Sequence, residues 1–220
     1  MVPTDSAKEI LRAFATKPSK PKYIREIANE CNISYERVQH YLKELEKIKV
    51  VRSAQRGKIK EYTLNKEHGL IQKIFSLIEM EKRQKFYEEN SKLFVWLHKM
   101  IQQLISEEEM KTQVGKSKSD IKFIVLFGSV ARKEAKTSSD IDLLIVVKNK
   151  DTKFINYTEL IRKKMNTLSG KEFSLHIIEM DEMKKRWKTE PVYASLWLDH
   201  IVLFGDEAFW RIVLELGEPV

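Results

Sequence analysis

Apolar positions recur with helical spacing through the first 49 residues, then switch to strand spacing. Ile10, Leu11 and Phe14 share one face of a segment over residues 6–16 that Lys17-Pro18 ends. Ile24, Ile27, Ala28 and Cys31 fall at i, i+3, i+4 and i+7 of a second helix over 22–31. After the turn Asn32-Ile33, Ser34 is placed to cap a third helix running to about Lys49, with Val38, Tyr41, Leu42, Leu45 and Ile48 facing inward. Residues 50–55 and 59–64 are β-prone and joined by Arg56-Gly57-Lys58, which predicts a hairpin. From His68 to Met110 there is no proline and Gly69 is the only glycine, so this stretch is predicted helical, either as one long helix or as two broken near Asn90-Ser91. Its apolar clusters, 70–78 and 93–104, flank a polar middle. Packing on the domains and pairing with a second copy both satisfy such stripes, and a homodimer through this segment is expected. Residues 113–120 form a polar loop. Beyond it come a strand at 123–127, a second at 143–147, a helix over 157–168, a third strand at 172–179 and a mostly helical tail. Trp187, Trp197 and Trp210 are expected to build the core of that helical cap.

The richest chemistry lies between the first two of these strands. The apolar run Phe123-Ile124-Val125-Leu126-Phe127 leads directly into Gly128-Ser129, and Asp140 and Asp142 stand at the head of the apolar run 143–147. Strand side chains alternate, so residues two apart face the same way and both carboxylates converge. Two carboxylates beside a glycine turn suit a hard divalent cation carrying phosphates. The glycine permits close approach of a phosphate, and the serine offers a hydroxyl and an amide to its oxygens. An acid inside an apolar run is costly unless it ligates or pairs, which gives Asp142 a purpose that a plain strand–turn–helix would not.

The segment resembles the signature of the DNA polymerase β nucleotidyltransferase superfamily, in particular its minimal members: an apolar strand, Gly-Ser, a nearby Arg, then Asp-x-Asp flanked by apolar residues. The matching positions are Gly128, Ser129, Arg132, Asp140 and Asp142. The resemblance implies that Gly128, Ser129 and Arg132 hold the phosphates of a nucleoside triphosphate, that Asp140 and Asp142 bind Mg²⁺ with it, and that the domain transfers a nucleotidyl group to an acceptor such as a protein side chain, a small molecule or an RNA end. The segment 198–206 is similar to the closing segment of many minimal nucleotidyltransferases. Active members carry a third carboxylate on the next strand, where this chain offers Ser174 and His176. Glu172 and Glu179 stand at that strand's ends, and His176 is a candidate base, although a lone strand histidine is more often structural.

Charge adds a second function. Residues 1–66 hold 15 Lys/Arg against 8 Asp/Glu, while 67–220 hold 25 against 24, so the basic surplus belongs to the N-terminal third. Three helices and a basic hairpin resemble a winged helix-turn-helix domain, whose third helix enters the DNA major groove. That resemblance assigns Tyr35, Gln39, His40 and Lys43 on the third helix, with Arg52, Arg56, Lys58 and Lys60 on the hairpin, to DNA. A single cysteine excludes an internal disulfide, and neither a leader at Met1-Val2-Pro3-Thr4 nor a membrane-length apolar run is present, which together predict a cytoplasmic protein without a membrane partner.

The expected fold is α+β with two domains. A winged helix over 1–66 (three helices plus a β-hairpin) is followed by a helical connector over 67–112 and a polymerase-β-like nucleotidyltransferase domain over 113–220, a small mixed sheet with helices. Two functions fit: a DNA-binding, Mg²⁺-dependent nucleotidyltransferase, or a non-enzymatic transcriptional regulator whose nucleotidyltransferase domain senses a nucleotide or dimerises.

Overall fold

A computed structural model of the chain describes residues 4–106, 120–136 and 139–219. These fall into two units, one of Met1–Ile78 with Trp210–Glu218 and one of Glu79–Phe209 with Pro219–Val220.

The first unit begins with α1 (Asp5–Ala15), capped by the Thr4 hydroxyl, which accepts from the Ala7 amide at 3.4 Å. A short β1 (Lys22–Tyr23) leads into α2 (Ile24–Cys31), and Asn32 in the left-handed region ends that helix. Ser34 caps α3 (Tyr35–Lys47) as its sequence requires, accepting from the Arg37 amide at 3.4 Å. Ile10, Leu11, Phe14, Ile27, Val38 and Leu42 fill the space among the three helices. The hairpin is β2 (Val51–Arg56) against β3 (Ile59–Leu64), in register from Val51 with Leu64 to Arg56 with Ile59. Strand β1 flanks β3 on its other side, giving an antiparallel sheet ordered β1-β3-β2.

Ile48 departs from expectation, being 53% exposed. The helix stops at Lys47, Lys49 turns through φ 60, and the Val50 amide bonds back to the Leu45 carbonyl at 2.9 Å. Val50 therefore takes the buried place that a longer helix would have given to Ile48.

The long helical segment is α4 (Gly69–Glu89) followed by α5 (Ser91–Ile105), broken at Asn90, whose side-chain amide donates to the Phe86 carbonyl at 2.9 Å. The start of α4 buries Ile71, Ile74 and Phe75 in the first unit, where the Trp210 ring lies 4.5 Å from that of Phe75. Trp210 is thus not part of the tryptophan cluster expected from sequence. Trp187 and Trp197 do meet in the second unit, 6.4 Å apart and edge to face.

In the second unit, Leu97, Met100, Ile101 and Leu104 of α5 join the core beneath a four-stranded mixed sheet, so packing within this unit accounts for that stripe. The strands are β4 (Ile121–Phe127), β5 (Ile141–Val147), β6 (Phe173–Glu179) and β7 (Ile201–Phe204), ordered β6-β5-β4-β7. Among the described residues, only the β5–β6 pair is parallel. Its crossover is α7 (Thr152–Ser169), which starts earlier than its apolar pattern suggests because Asp151 caps it, accepting from the Phe154 amide at 2.7 Å. The Tyr157 hydroxyl donates to the Gln103 carbonyl at 2.8 Å, tying α7 to α5. One turn of helix, α6 (Gly128–Ala131), follows β4; α8 (Met180–Arg186) and α9 (Pro191–Leu198) lie between β6 and β7, and α10 (Asp206–Leu216) follows β7. The polar loop at 113–119 and the predicted helical residues 107–110 lie outside the described residues.

A buried polar group sits where the sequence shows only a polar helix middle. Glu79, 3% exposed, faces His200 at 3.3 Å, and Arg83 donates to the Val202 carbonyl at 2.7 Å and to the Asp206 carboxylate at 2.8 Å. No helix among the described residues is long and apolar enough to cross a membrane.

Candidate functional site

Strand β4 delivers its last residue, Phe127, opposite Asp142 of β5. Gly128 follows at φ 77, a backbone conformation that L side chains rarely adopt. A Cβ at this position would collide with Oδ2 of Asp142 and lie 3.2 Å from its carboxyl carbon. The glycine and the acid of the motif are therefore in contact, and the half-buried Asp142 carboxylate rests on the turn. The turn is closed by the Arg132 amide to the Gly128 carbonyl, 3.1 Å, and by the Glu134 amide to the Ser129 carbonyl, 2.9 Å. Ser129 is half-buried within α6. Arg132 is held on its own loop, its Nε donating to Glu134 Oε2 at 2.9 Å.

Asp140 stands just before β5 and is exposed, lining a groove of about 490 Å³ with Arg162, Glu172 and Ser174. Both aspartates offer hard oxygen donors. Mg²⁺ typically takes one or two carboxylates and completes its shell with phosphate oxygens and water, so the residues present fit that ion in the company of a nucleotide. Among the described residues no group of three His, Cys, Asp or Glu is placed to hold a metal.

Strand register settles which residue stands beside the acids. Ser174 of β6 is the partner of Asp142, so the two side chains leave the same face of strands spaced about 4.8 Å apart. His176, two residues on, shares that face; its Nε2 is 3.1 Å from Ser174 Oγ, and its ring lies 5.5 Å from that of Phe127. The glutamates at the two ends of β6 are both engaged elsewhere, although Glu172 borders the same groove as Asp140. Glu172 Oε1 accepts from Arg162 at 2.6 Å, and Glu179, at the far end, accepts from the Lys150 amide at 2.8 Å. The serine–histidine pair has a sequence signal, the i, i+2 spacing on a strand, but its alignment with Asp142 depends on a parallel pairing that spacing does not reveal.

In the first unit, Tyr35, His40 and Lys43 of α3 are exposed and Gln39 is half-buried. On the hairpin, Arg52, Arg56 and Lys58 are exposed and Lys60 is half-buried. Several of these charges are engaged. Lys60 pairs with Glu46 of α3 at 3.0 Å, Arg56 approaches Glu61 at 3.7 Å, and Arg52 donates to Asn65 at 2.7 Å. Hydrogen bonds from Ser53 and then Lys60 outweigh partial burial and hold the Glu46 carboxyl below its ordinary value. Lys43 and Lys58 make no ion pair among the described residues. The Glu46 bridge from helix to hairpin had no visible signal in the sequence.

A mixed sheet that carries a Gly-Ser turn against an Asp-x-Asp strand defines a nucleotidyltransferase-type domain, and residues 109–190 match the family described as Polymerase beta, Nucleotidyltransferase. Residues 5–120 match a family of unknown function (DUF7342), and the chain belongs to that family. A Methanocaldococcus jannaschii protein that bears the provisional name protein adenylyltransferase (MJ1305) is 26% identical over 127 residues, which span 56% of this chain and 84% of that protein. A crystal structure of a toxin–antitoxin with AMP-PNP aligns over 55% of this chain and 82% of its own, at 14% identity and a TM-score of 0.35.

Proposed function

We propose that the chain is a DNA-binding protein whose C-terminal domain transfers a nucleotidyl group from a Mg²⁺-bound nucleoside triphosphate to an acceptor hydroxyl. The observation that carries this is the contact between Gly128 and Asp142, which builds the acid into the turn at the cost of an unusual backbone conformation. Gly128 and Ser129 would receive phosphate oxygens, Arg132 would add a positive charge once released from Glu134, and Asp140 with Asp142 would hold the cation. Bound there, Mg²⁺ supplies charge neutralisation for the phosphates and the departing pyrophosphate. The name of the archaeal relative supports ATP as donor and a protein side chain as acceptor. Calorimetry tests the site: Mg²⁺ alone should bind weakly, ATP with Mg²⁺ should bind more tightly, and Asp142→Ala should abolish both. Incubation with α-labelled ATP, Mg²⁺ and cell extract should then transfer label. If the wild type binds no nucleotide, the proposal is wrong.

The domain boundaries 1–66, 67–112 and 113–220 belong to this proposal, with the first part a winged helix using α3 and the hairpin on DNA. Exposure of Tyr35, His40, Lys43 and Lys58, together with the basic surplus of the N-terminal third, supports it. The pairing of Glu172 with Arg162 and of Glu179 with the Lys150 amide favours a second possibility, a regulator whose domain binds the nucleotide without transferring it. Calorimetry showing binding, together with no label transferred to any acceptor, would select that regulator.

A further inference from the structure

We propose that Ser174 is itself a nucleotidylation site, so that the domain modifies its own sheet with His176 as the base. This rests on the nucleotidyl-transfer function proposed above. A serine becomes a nucleophile when a base lies within hydrogen-bond reach, about 2.6–3.2 Å, and Ser174 Oγ lies 3.1 Å from Nε2 of His176. In the tautomer protonated at Nδ1, the hydroxyl donates to Nε2 and the imidazole is ready to take its proton. The Phe127 ring, at the end of the strand that carries Gly128, packs against that imidazole from 5.5 Å.

Position supplies the other half of the case. Ser174 is the register partner of Asp142 and leaves the sheet on the same face, so its hydroxyl stands on the strand beside the acid that touches Gly128. Ser174 also borders the groove that Asp140 lines, whereas His176 borders a second cleft of about 540 Å³ with Phe127 and Tyr193. Both cavities are within the size range of small-ligand sites. Glu172, just before β6, pairs with Arg162, and Glu179 at the far end of the strand accepts from the Lys150 amide.

The step balances without a further reactant. Ser174 Oγ forms a bond to the α-phosphorus of ATP, the bond from that phosphorus to the bridging oxygen breaks, and pyrophosphate leaves with the electron pair. The hydroxyl proton passes to His176 Nε2. The product is an adenylyl ester on Ser174.

The test uses the full chain with Mg²⁺ and ATP labelled at the α-phosphate, read by intact mass and peptide mapping. One adenylyl group per chain is expected, on Ser174, while γ-labelled ATP leaves no label. Ser174→Ala should lose the modification and still bind ATP in calorimetry. His176→Gln should slow it by about 100-fold or more, the ordinary worth of a positioned base. Label mapping to another residue, or undiminished in Ser174→Ala, overturns the proposal. An unlabelled chain in an extract where another protein takes label overturns it and leaves the proposed transferase function standing. Absence of label from both chain and extract removes both.

Discussion

Gly128→Ala isolates the contact on which the candidate site is built. Two costs arise. Holding an L residue in the left-handed region costs about 1–2 kcal/mol, and Gly128 sits at φ 77. The new methyl would also strike the Asp142 carboxylate and force it off its rotamer, which adds about 0.5–1.5 kcal/mol. The total is roughly 1.5–3.5 kcal/mol, a fall in Tm of about 3–14 °C for a chain of this size. The Asp142→Ala background separates the two costs. Without the carboxylate only the backbone cost remains, so the double variant should recover about 1 kcal/mol relative to additivity. Gly57→Ala is the control, at φ 64 with nothing within 4 Å of a new Cβ, and should show the backbone cost alone. Urea unfolding and thermal melts of all four variants beside the wild type decide it. If Gly128→Ala is no worse than Gly57→Ala, or is strictly additive with Asp142→Ala, the carboxylate does not rest on the turn.

Arg83→Ala should cost about 2–4 kcal/mol by leaving a largely buried Asp206 unpaired, and the Arg83→Ala/Asp206→Ala double variant should recover part of that in denaturation. Burial pushes the Glu79 carboxyl up, but His200 and then Lys82 outweigh it and leave it below its ordinary value. Its stabilising contribution is therefore present above the unfolded carboxylate value and lost as pH falls through the depressed one. Urea unfolding between pH 7 and pH 3 should show a steeper acid loss in the wild type than in Glu79→Gln. Reversing charge at Arg56 and Lys58 should weaken duplex DNA binding about equally for all sequences. It should also flatten the salt slope by about 0.9 for each phosphate left without its cation, as measured by titration across salt concentrations. Substituting Gln39 or His40 should instead change sequence preference.

Periodicity revealed the elements with strong local signals. Three N-terminal helices, a hairpin and three of the four strands of the mixed sheet follow from spacing, caps and glycine placement, while the break at Asn90 is one of two alternatives the pattern leaves open. Local pattern was blind wherever distant residues decide burial. Glu79 and Arg83 fall in the polar middle of the helical segment, and nothing local marks them as buried because their partners His200 and Asp206 lie more than a hundred positions away. Trp210 read as part of a C-terminal cluster, yet it meets Phe75. Ile48 fits the helical stripe, but the helix ends one residue before it. At the candidate site, alternation and the glycine turn predict two acids near Gly128, and the structure brings Asp142 into contact with it while Asp140 stands exposed just before β5. The contact with Asp142 and the alignment of Ser174 with it come from strand pairing, which single-strand pattern does not encode.

The pairing of β7 with β4 has a consequence during synthesis. Strand β4 cannot gain its second neighbour until Phe204 has been made, and Arg83 cannot meet Asp206 until later still, 123 positions after its own addition. At about 5–20 residues per second the ribosome takes roughly 6–25 s to cover that distance. Throughout that interval α4 carries a glutamate and an arginine whose partners do not yet exist, and both charges are better served by water than by a half-made core. A nascent chain halted before residue 200 would therefore hold α4 loosely and leave one edge of β4 open to any passing strand. Residues 201–206 act as a latch, since the sheet gains its fourth strand and Arg83 its partner only once they have been made.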